Sequence, residues 1–492
     1  MDRIVVHRSG PLAGEVDVPG AKNSVLKLMV ASLYASGTHE LTNVPAISDV
    51  DTMGSLLGAL GVDVSHDLHR ADVLLLTNRG DVKSIAPSEL VETIRASINL
   101  LGPLLACKGH VRLDMPGGDD FGTRPIDMHI AGLTAMGAEF DLSNGNIEAR
   151  ADNLHGAHIT LDFPSVGATE NILTAAVHAN GETIIENAAR EPEVADLCDL
   201  LVEMGAQISG IGSSTLTIVG VERGSLKPVQ HAVVPDRIQA ATYLAATAVA
   251  GGDVIVRGAR AHDMQVLLSR MNDMGLDITA VPGGVRIVSE GRMRAVDIQT
   301  LPYPGLATDY KPLLVTMLAV AEGSGIVTEN LYPGRFRYVE ELSKLGADIR
   351  TDGHHAIVRG VERLRGAAVV APDIRAGAAL VVAGLAAEGR TVISGIEHID
   401  RGYDNLSASA QVRADLGPAE VALRHWRAAP VCPGASCTAR RPTGCSSTAR
   451  SASSTPPGNT PSSPSSASPA RRHGRPCAWA PTPPLRPTSR PG

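Results

Sequence analysis

The sequence predicts an α/β protein of two domains, each made of three repeated units with helices in the middle and sheets outside. Two patterns that run in phase through most of the chain support this, at a period of about 70 residues. The first is a leucine or methionine, a glycine and a strand-like stretch, found at Leu60-Gly61, Met136-Gly137, Met204-Gly205, Met274-Gly275, Leu345-Gly346 and, more weakly, Leu416-Gly417. The second is an apolar helical run followed by a glycine and a strand, with the glycine at Gly37, Gly109, Gly181, Gly252, Gly323 and Gly389. Together they define six units.

Each unit has two kinds of helix. One is apolar almost all round, as in residues 172–177 and 243–249, and a helix without a polar face must be buried on all sides. The glycine that follows is expected to end it. The other helix is amphipathic, as in 339–345, and the strands alternate, as in 183–186. Six such units divide into two domains of three, with a cleft between them for a ligand.

The last part of the chain differs in composition. Residues 426–492 are rich in Pro, Ser, Thr, Ala and Arg, and from Arg427 onward they hold nine arginines, no lysine and no acidic residue. A segment with so few bulky apolar residues cannot bury enough surface to fold. Two interpretations remain open: a GC-rich gene read in a shifted frame, or a natural disordered tail.

Charge and cysteine usage restrict the function. The chain carries −8 overall and the tail +9, so the part before Arg427 carries −17, which argues against general nucleic-acid binding. That part has only Cys107 and Cys198, as expected in a reducing compartment. Met1–Ser9 lack an apolar run of signal length, and no segment approaches the roughly 18 apolar residues of a membrane span. We expect a cytoplasmic protein that is not inserted in a membrane.

A loop at 116–127 holds three glycines and two prolines, which exclude a helix or a central strand. It carries adjacent carboxylates, Asp119 and Asp120, and a cation, Arg124. By itself the loop is equally consistent with an active-site lid and with a surface turn.

Six cations lie far apart in sequence, each beside glycine, proline or small residues. Any one of them alone is more often solvated or salt-bridged than a ligand contact. They are Lys22, Arg95, Arg124, Arg335, Arg375 and Arg401.

With the segments around them, these residues resemble the enolpyruvyl transferase family, in particular its members that act on UDP-N-acetylglucosamine. The resemblance covers residues 1 to about 405 and includes segments 19–23, 165–170, 186–193, 235–238 and 302–309. It implies two inside-out α/β domains, which agrees with the six units. It also implies domain bounds of 22–233, with a catalytic lid at 114–127, and of 1–21 plus 234–425.

The resemblance implies transfer of the enolpyruvyl group of phosphoenolpyruvate to the 3′-hydroxyl of UDP-N-acetylglucosamine, the first committed step of peptidoglycan synthesis, by a monomer without metal or cofactor. Several cations are needed to hold the phosphate and the carboxylate of phosphoenolpyruvate. The catalytic residues implied are Asp119 as proton donor, Lys22, and Asp309 as candidate base. The substrate-binding residues implied are Lys22, Asn23, Arg95, Arg124, Pro125, Ile126, Asp127, Ser165, Val166, Gly167, Asp236, Asp309, Leu331, Arg335, Arg375 and Arg401.

The chain departs from the family pattern in two places. Most members have cysteine where this chain has Asp119, and that thiol is the group alkylated by fosfomycin; we therefore expect fosfomycin resistance. Residues 404–423 match the family's last helix and strand only loosely, so the third unit of the second domain is expected to be poorly closed. Two alternatives stay open: enolpyruvyl transfer to shikimate 3-phosphate, and a non-catalytic paralogue that binds UDP-sugar and regulates the pathway.

Overall fold

The computed structural model describes residues 3–118, 122, 124–143, 145–404 and 406, and the backbone of Arg424–Trp426. The described residues belong to one compact unit. The predicted tail lies outside the described residues, apart from the backbone of Trp426. The loosely matching segment 404–423 is also outside them, apart from Asp404 and Leu406.

Six β-sheets occur within the described residues. Four of them repeat one arrangement: a strand, a helix and two further antiparallel strands, with a parallel strand from elsewhere in the chain at one edge. The strands are β1 (Arg3–His7), β2 (Leu12–Asp17), β3 (Gly37–Thr42), β4 (Val62–His66), β5 (Leu74–Asn78), β6 (His110–Asp114), β7 (Glu139–Asp141), β8 (Asn146–Arg150), β9 (His158–Thr160), β10 (Glu182–Glu186), β11 (Gln207–Ser209), β12 (Thr215–Val219), β13 (Gln230–Ala232), β14 (Gly252–Arg257), β15 (Asp277–Val281), β16 (Gly284–Ser289), β17 (Ile298–Gln299), β18 (Ser324–Thr328), β19 (Asp348–Asp352), β20 (His355–Arg359), β21 (Ala368–Val370), β22 (Arg390–Ser394) and β23 (Arg424–Trp426).

The repeating sheets have the orders β13-β3-β5-β4, β11-β12-β10-β9, β15-β16-β14-β2 and β17-β18-β20-β19. A fifth sheet, β21-β22-β1-β23, is completed by the first strand of the chain, which pairs antiparallel with β22 and β23. The sixth, β6-β8-β7, has three strands, with a single parallel bridge from Ile85 to Arg112 at its edge. The sheets therefore follow the six sequence units.

The helices are of the two predicted kinds. Among the apolar ones, α8, α10 and α12 pack against one another, and α4 packs against α6. The helices are α1 (Lys22–Ala31), α2 (Ser48–Leu60), α3 (Ser88–Val91), α4 (Leu101–Lys108), α5 (Asp127–Ala135), α6 (Val166–Ala176), α7 (Pro192–Met204), α8 (Arg237–Ala250), α9 (Gln265–Asp273), α10 (Lys311–Val320), α11 (Tyr338–Lys344), α12 (Ile374–Ala386) and α13 (Glu397–Asp400). The α/β fold with buried helices and outer sheets is confirmed. None of the described helices combines the length and the apolar character needed to cross a membrane.

The position of the glycines corrects one expectation. The glycine after each apolar helix is expected to end that helix, but of the six predicted glycines only Gly109 does so, after α4. Helix α8 is capped by Gly251, one residue before the predicted Gly252. Gly37 and Gly252 are instead the first residues of β3 and β14. Gly37, Gly109 and Gly252 all have positive φ, so the glycine more often serves to turn the chain into the strand than to stop the helix. Gly61 and Gly205 do cap the amphipathic helices α2 and α7, at φ 103° and 113°. Gly137, Gly275 and Gly346 lie one residue after the caps of α5, α9 and α11 and also have positive φ.

The buried apolar side chains form two clusters. One runs from Val25 to Val233, and the other combines Ile4–Val18 with side chains from Ile238 to Leu406. The chain passes between the clusters at two adjacent places, where Ala21 N–H donates to Val234 O at 2.7 Å and Asp236 N–H donates to Pro19 O at 2.9 Å. This division supports the bounds 22–233 and 1–21 plus 234–425, which stay a prediction.

Candidate active site

Lys22 and Arg401 share one carboxylate, that of Asp49. Lys22 is the first residue of α1, and its Nζ lies 2.9 Å from Asp49 Oδ2. Arg401 follows α13, and its Nε lies 2.9 Å from Asp49 Oδ1. Burial lowers the pKa of Lys22, Asp49 raises it, and the charges of Arg375 and Arg401 lower it further. Two residues that are far apart in sequence thus meet on a buried acid at the start of α2.

A second carboxylate, Asp309, lies between two other arginines. Arg335 Nη1 donates to Asp309 Oδ1 at 2.7 Å, and Arg375 Nε donates to Asp309 Oδ2 at 3.1 Å. Burial raises the pKa of Asp309, but the two guanidinium groups hold it far below its ordinary value. In this arrangement Asp309 is a weak base, so a role in taking a proton requires that the arginines turn toward another anion.

The surroundings of Arg375 connect the two groups. The residue lies in the first turn of α12, whose N-terminus is capped by Asp373 through the N–H groups of Arg375 and Ala376, at 2.9 Å each. The guanidinium carbon of Arg375 lies 5.4 Å from the ring centroid of Tyr403, two residues beyond Arg401. Four of the six predicted cations therefore lie around two carboxylates. They are Lys22, Arg335, Arg375 and Arg401.

Arg95 holds both ends of the predicted lid. Its Nη1 donates to Pro116 O at 3.4 Å, and its Nη2 donates to the carbonyl of Arg124. Burial and the charge of Arg124 lower the pKa of Arg95 to about 10. The described part of the lid between β6 and α5 is free of helix and strand, as predicted. Asp119, the predicted proton donor, lies outside the described residues.

The glycines of the lid allow it to approach the chain before Arg95 closely. A Cβ atom on Gly117 would lie 1.6 Å from Glu92 O, and one on Gly118 would lie 3.0 Å from Arg95 Cβ. Gly118 also has φ 104°. The Gly-Gly pair is therefore required by this packing as well as by the turn.

Six of the predicted substrate-binding residues lie at or just before two helix starts. Pro125 and Ile126 precede α5, and Asp127 is its first residue. Ser165 caps α6 by accepting from Ala168 N–H at 3.3 Å, and Val166 and Gly167 begin that helix. The free N–H groups of a helix start attract anionic groups such as a diphosphate.

Asn171 ties α6 to α5 beneath these positions. Its side chain and Nδ1 of His129 lie 2.9 Å apart, and a Cβ on Gly167 would lie 3.0 Å from the His129 ring. Burial lowers the pKa of His129 to about 4, with a further contribution from the charge of Arg95. His129 is therefore a neutral packing partner at the start of α6.

Three further site residues, and Arg237 next to one of them, are distributed around this region. Asn23 follows Lys22 in α1 and is half-buried. Leu331 lies on the loop after β18, where its N–H donates to Glu329 Oε1 at 2.8 Å. Asp236 caps α8 through Ile238 N–H at 2.7 Å and also accepts from Lys22 N–H at 3.2 Å. Arg237 is buried in a two-bond pair with Glu193, at 3.0 and 3.2 Å.

Sequence reasoning missed several acids of the site. Asp49 pairs with Lys22 and Arg401, Glu193 with Arg237, and Glu329 with Lys311. Asp49 had a weak signal as an acid in the first turn of an amphipathic helix. Lys311, the cation paired with Glu329, had a stronger signal, because it begins a helix that is apolar apart from Thr316.

Fold and site define an α/β protein with a cluster of buried cations suited to anionic substrates. The sequence pattern of the family described as "EPSP synthase (3-phosphoshikimate 1-carboxyvinyltransferase)" matches residues 6–409. The chain belongs to this family.

Relatives with known names agree with this assignment. The chain is 50% identical over 414 residues to UDP-N-acetylglucosamine 1-carboxyvinyltransferase of Nocardia farcinica, covering 83% of this chain and 96% of the relative. It is 49% identical over 402 residues to the enzyme of that name from Mycobacterium tuberculosis, covering 82% and 95%.

Solved structures show the same fold. The enolpyruvyl transferase NikO from Streptomyces tendae superposes with a TM-score of 0.75 at 24% identity, covering 83% of this chain and 96% of that one. EPSP synthase from Acinetobacter baumannii superposes with a TM-score of 0.65 at 19% identity, covering 83% and 98%.

Proposed function

We propose that this chain transfers the enolpyruvyl group of phosphoenolpyruvate to the 3′-hydroxyl of UDP-N-acetylglucosamine and releases phosphate, in peptidoglycan synthesis. The observation that carries the proposal is the roughly 50% identity, over nearly the whole length of the relatives, to proteins named for this reaction. The gathering of Lys22, Arg335, Arg375 and Arg401 supports it, because the substrate brings a phosphate and a carboxylate to the site.

The reaction proceeds by addition and then elimination. A proton is added to the methylene carbon of phosphoenolpyruvate while the sugar hydroxyl attacks the neighbouring carbon, which gives a ketal. A methyl proton is then lost, the double bond re-forms and the C–O bond to phosphate breaks. Asp119 is the proposed donor of the first proton. Asp309 is the proposed acceptor of the hydroxyl proton, once Arg335 and Arg375 have turned from it to the substrate anion.

The cations have separate proposed roles. Lys22, Arg124 and Arg401, with Arg95 at the base of the lid, bind phosphoenolpyruvate and stabilise the charge that develops on the leaving phosphate. The starts of α5 and α6, with Asn23, Asp236 and Leu331, receive the UDP-sugar. We also propose that the protein acts as a monomer in the cytoplasm, where its two described cysteines stay free.

Phosphate release tests the proposal directly. The purified chain is given phosphoenolpyruvate with UDP-N-acetylglucosamine, or with shikimate 3-phosphate as the control acceptor, since the family description names that reaction. We expect phosphate release only when UDP-N-acetylglucosamine is the acceptor. Mass spectrometry should then detect its enolpyruvyl product. Release only with shikimate 3-phosphate would assign the other reaction. UDP-sugar binding without release would indicate the non-catalytic paralogue.

A further inference from the structure

A buried ion pair lies behind the candidate site, at the start of α10. Lys311 and Glu329 have no exposed side-chain surface, and Lys311 Nζ lies 2.9 Å from Glu329 Oε2. The remainder of α10 is apolar apart from Thr316. Neither residue belongs to the predicted site.

Glu329 holds the loop that follows it. Its Oε1 accepts from Leu331 N–H at 2.8 Å and from Tyr332 N–H at 3.1 Å, and also from Thr300 Oγ1 at 2.7 Å. Its Oε2 accepts from Thr308 Oγ1 at 2.7 Å. Both oxygens therefore fix backbone or side chains next to the proposed substrate contacts Leu331 and Asp309.

Lys311 holds the other end of the same loop. Its Nζ donates to the carbonyl of Arg335 and lies 3.9 Å from the ring centroid of Phe336. Thr308 completes the connection, because its hydroxyl donates to Glu329 and accepts from Arg335 Nη1 at 3.2 Å. Loop 329–336 is thus held at its start by Glu329 and at its end by Lys311.

Stability alone is a poor explanation for this pair. Removing two charges from water is costly, and well-packed apolar residues in place of a buried pair are often neutral or stabilising. The hydrogen bonds of the pair, in contrast, are directional and end on the loop, on Thr308 and on Thr300. Directional contacts of this kind fix geometry.

We propose that Lys311 and Glu329 are positioning residues that set loop 329–336, with Leu331 and Arg335, for the UDP-sugar. The proposal rests on the proposed function. Its expected signature is weaker binding of UDP-N-acetylglucosamine when the pair is broken, with a smaller rise in the KM for phosphoenolpyruvate, because Arg335 also belongs to the cations proposed to meet its anionic groups.

The protonation of Lys311 gives a second signature. Burial lowers its pKa to about 8, against the charge of Glu329, which raises it. The other charged or titratable groups that face it are Arg335, Asp373 and Tyr338. Above about pH 8 the amine of Lys311 loses its proton, and its attraction to Glu329 is lost. UDP-sugar binding is therefore expected to weaken.

The test measures the Kd of UDP-N-acetylglucosamine by calorimetry, the KM of both substrates and the thermal midpoint. The variants are Lys311→Met, Glu329→Gln and the near-isosteric Thr308→Val. We expect a rise in the UDP-sugar Kd of about tenfold for the first two, and a smaller rise for Thr308→Val. Between about pH 7 and pH 9.5 the Kd of the wild type should rise more steeply than that of Lys311→Met.

Two controls separate positioning from general damage. Lys344→Met breaks the Lys344–Glu341 pair on α11, where Lys344 is half-exposed, and should leave the Kd unchanged. Leu267→Ala removes a buried side chain of α9 and should lower the midpoint without changing the ratio of the two KM values.

The proposal would be overturned if Glu329→Gln and Thr308→Val lowered the thermal midpoint but kept the wild-type Kd for UDP-N-acetylglucosamine. The pair would then have only a structural role. A wild type that binds UDP-sugar without releasing phosphate would contradict the proposed reaction, while the Kd comparison would still decide the role of the pair. A wild type that does not bind UDP-sugar would overturn both.

Discussion

At the scale of single residues, Asp49 decides how two cations of the site are held. Its two oxygens are divided between Lys22 and Arg401, each at 2.9 Å. A carboxylate that is 4% exposed in its side chain keeps both cations close together against their mutual repulsion. When an anionic substrate arrives, the same two cations can turn to it with little loss of solvation.

Replacing Asp49 with asparagine should therefore weaken phosphoenolpyruvate binding. Loss of the carboxylate leaves two neighbouring cations without their shared counter-charge, and the KM for phosphoenolpyruvate should rise by about tenfold or more. Because Asp49 raises the pKa of Lys22, its removal lowers that pKa further, so activity should fall at a lower pH on the alkaline side. Steady-state kinetics over pH measure both effects. Asp51→Asn, an exposed acid in the same helix turn, should behave as the wild type.

We predict that Asp119, which lies in the part of the lid outside the described residues, acts as the proton donor. We expect Asp119→Ala to lose nearly all turnover, while calorimetry still detects UDP-sugar binding.

The wild type should not be inactivated covalently by fosfomycin, because a carboxylic acid replaces the thiol that the drug alkylates. Rapid inactivation, with the drug's mass added to the protein, would contradict this. Asp152→Ala, at an exposed position, is the control for Asp119→Ala and should keep wild-type turnover.

At the scale of elements, the base of the lid depends on a glycine as much as on Arg95. Gly117→Ala would place a Cβ 1.6 Å from Glu92 O, a backbone atom that cannot easily move away. The lid base must then shift by an ångström or so, and misplacement of this size can reduce kcat by about a hundredfold. Stopped-flow or steady-state assays measure the loss. In Gly58→Ala the new Cβ meets nothing within 4 Å, so activity should be retained and α2 slightly stabilised.

The elements were predictable where their signals are local. The buried character of α8 follows from 243–249 alone, and the caps after the amphipathic helices follow from Leu/Met-Gly. The pairing of charges was not predictable, because Asp49 and Arg401 are 352 positions apart and no local pattern connects them. Asp309 was found through its motif, yet its position between two arginines, which makes it a weak base here, emerges only from the fold.

At the scale of the whole molecule, the passage of the chain between the two apolar clusters is fixed by a histidine between two acids. His231 Nδ1 lies 2.8 Å from Glu203 Oε2, and His231 Nε2 lies 3.0 Å from Asp196 Oδ1. Asp196 also accepts from the Ser24 hydroxyl, in α1 just after Lys22, and from Val234 N–H at 3.2 Å. The charged histidine thus supports an acid that binds both α1 and the crossing segment.

This arrangement predicts a loss of stability at alkaline pH. Burial opposes the charged form, but Asp196 and Glu203 raise the pKa of His231 to about 9, above its ordinary value of 6.5. Because the pKa of His231 is raised in the folded state, its charged form stabilises the fold fully below about pH 6.5. This contribution is lost as the pH rises through about 9. Denaturant unfolding should show a decrease of about 1–2 kcal/mol between neutral pH and pH 9.5, allowing for solvent screening. His231→Gln should be less stable at neutral pH and lose this pH dependence, whereas His158→Gln, which removes an exposed histidine–glutamate pair, should retain it. An unchanged pH slope in His231→Gln would assign the alkaline loss to other groups.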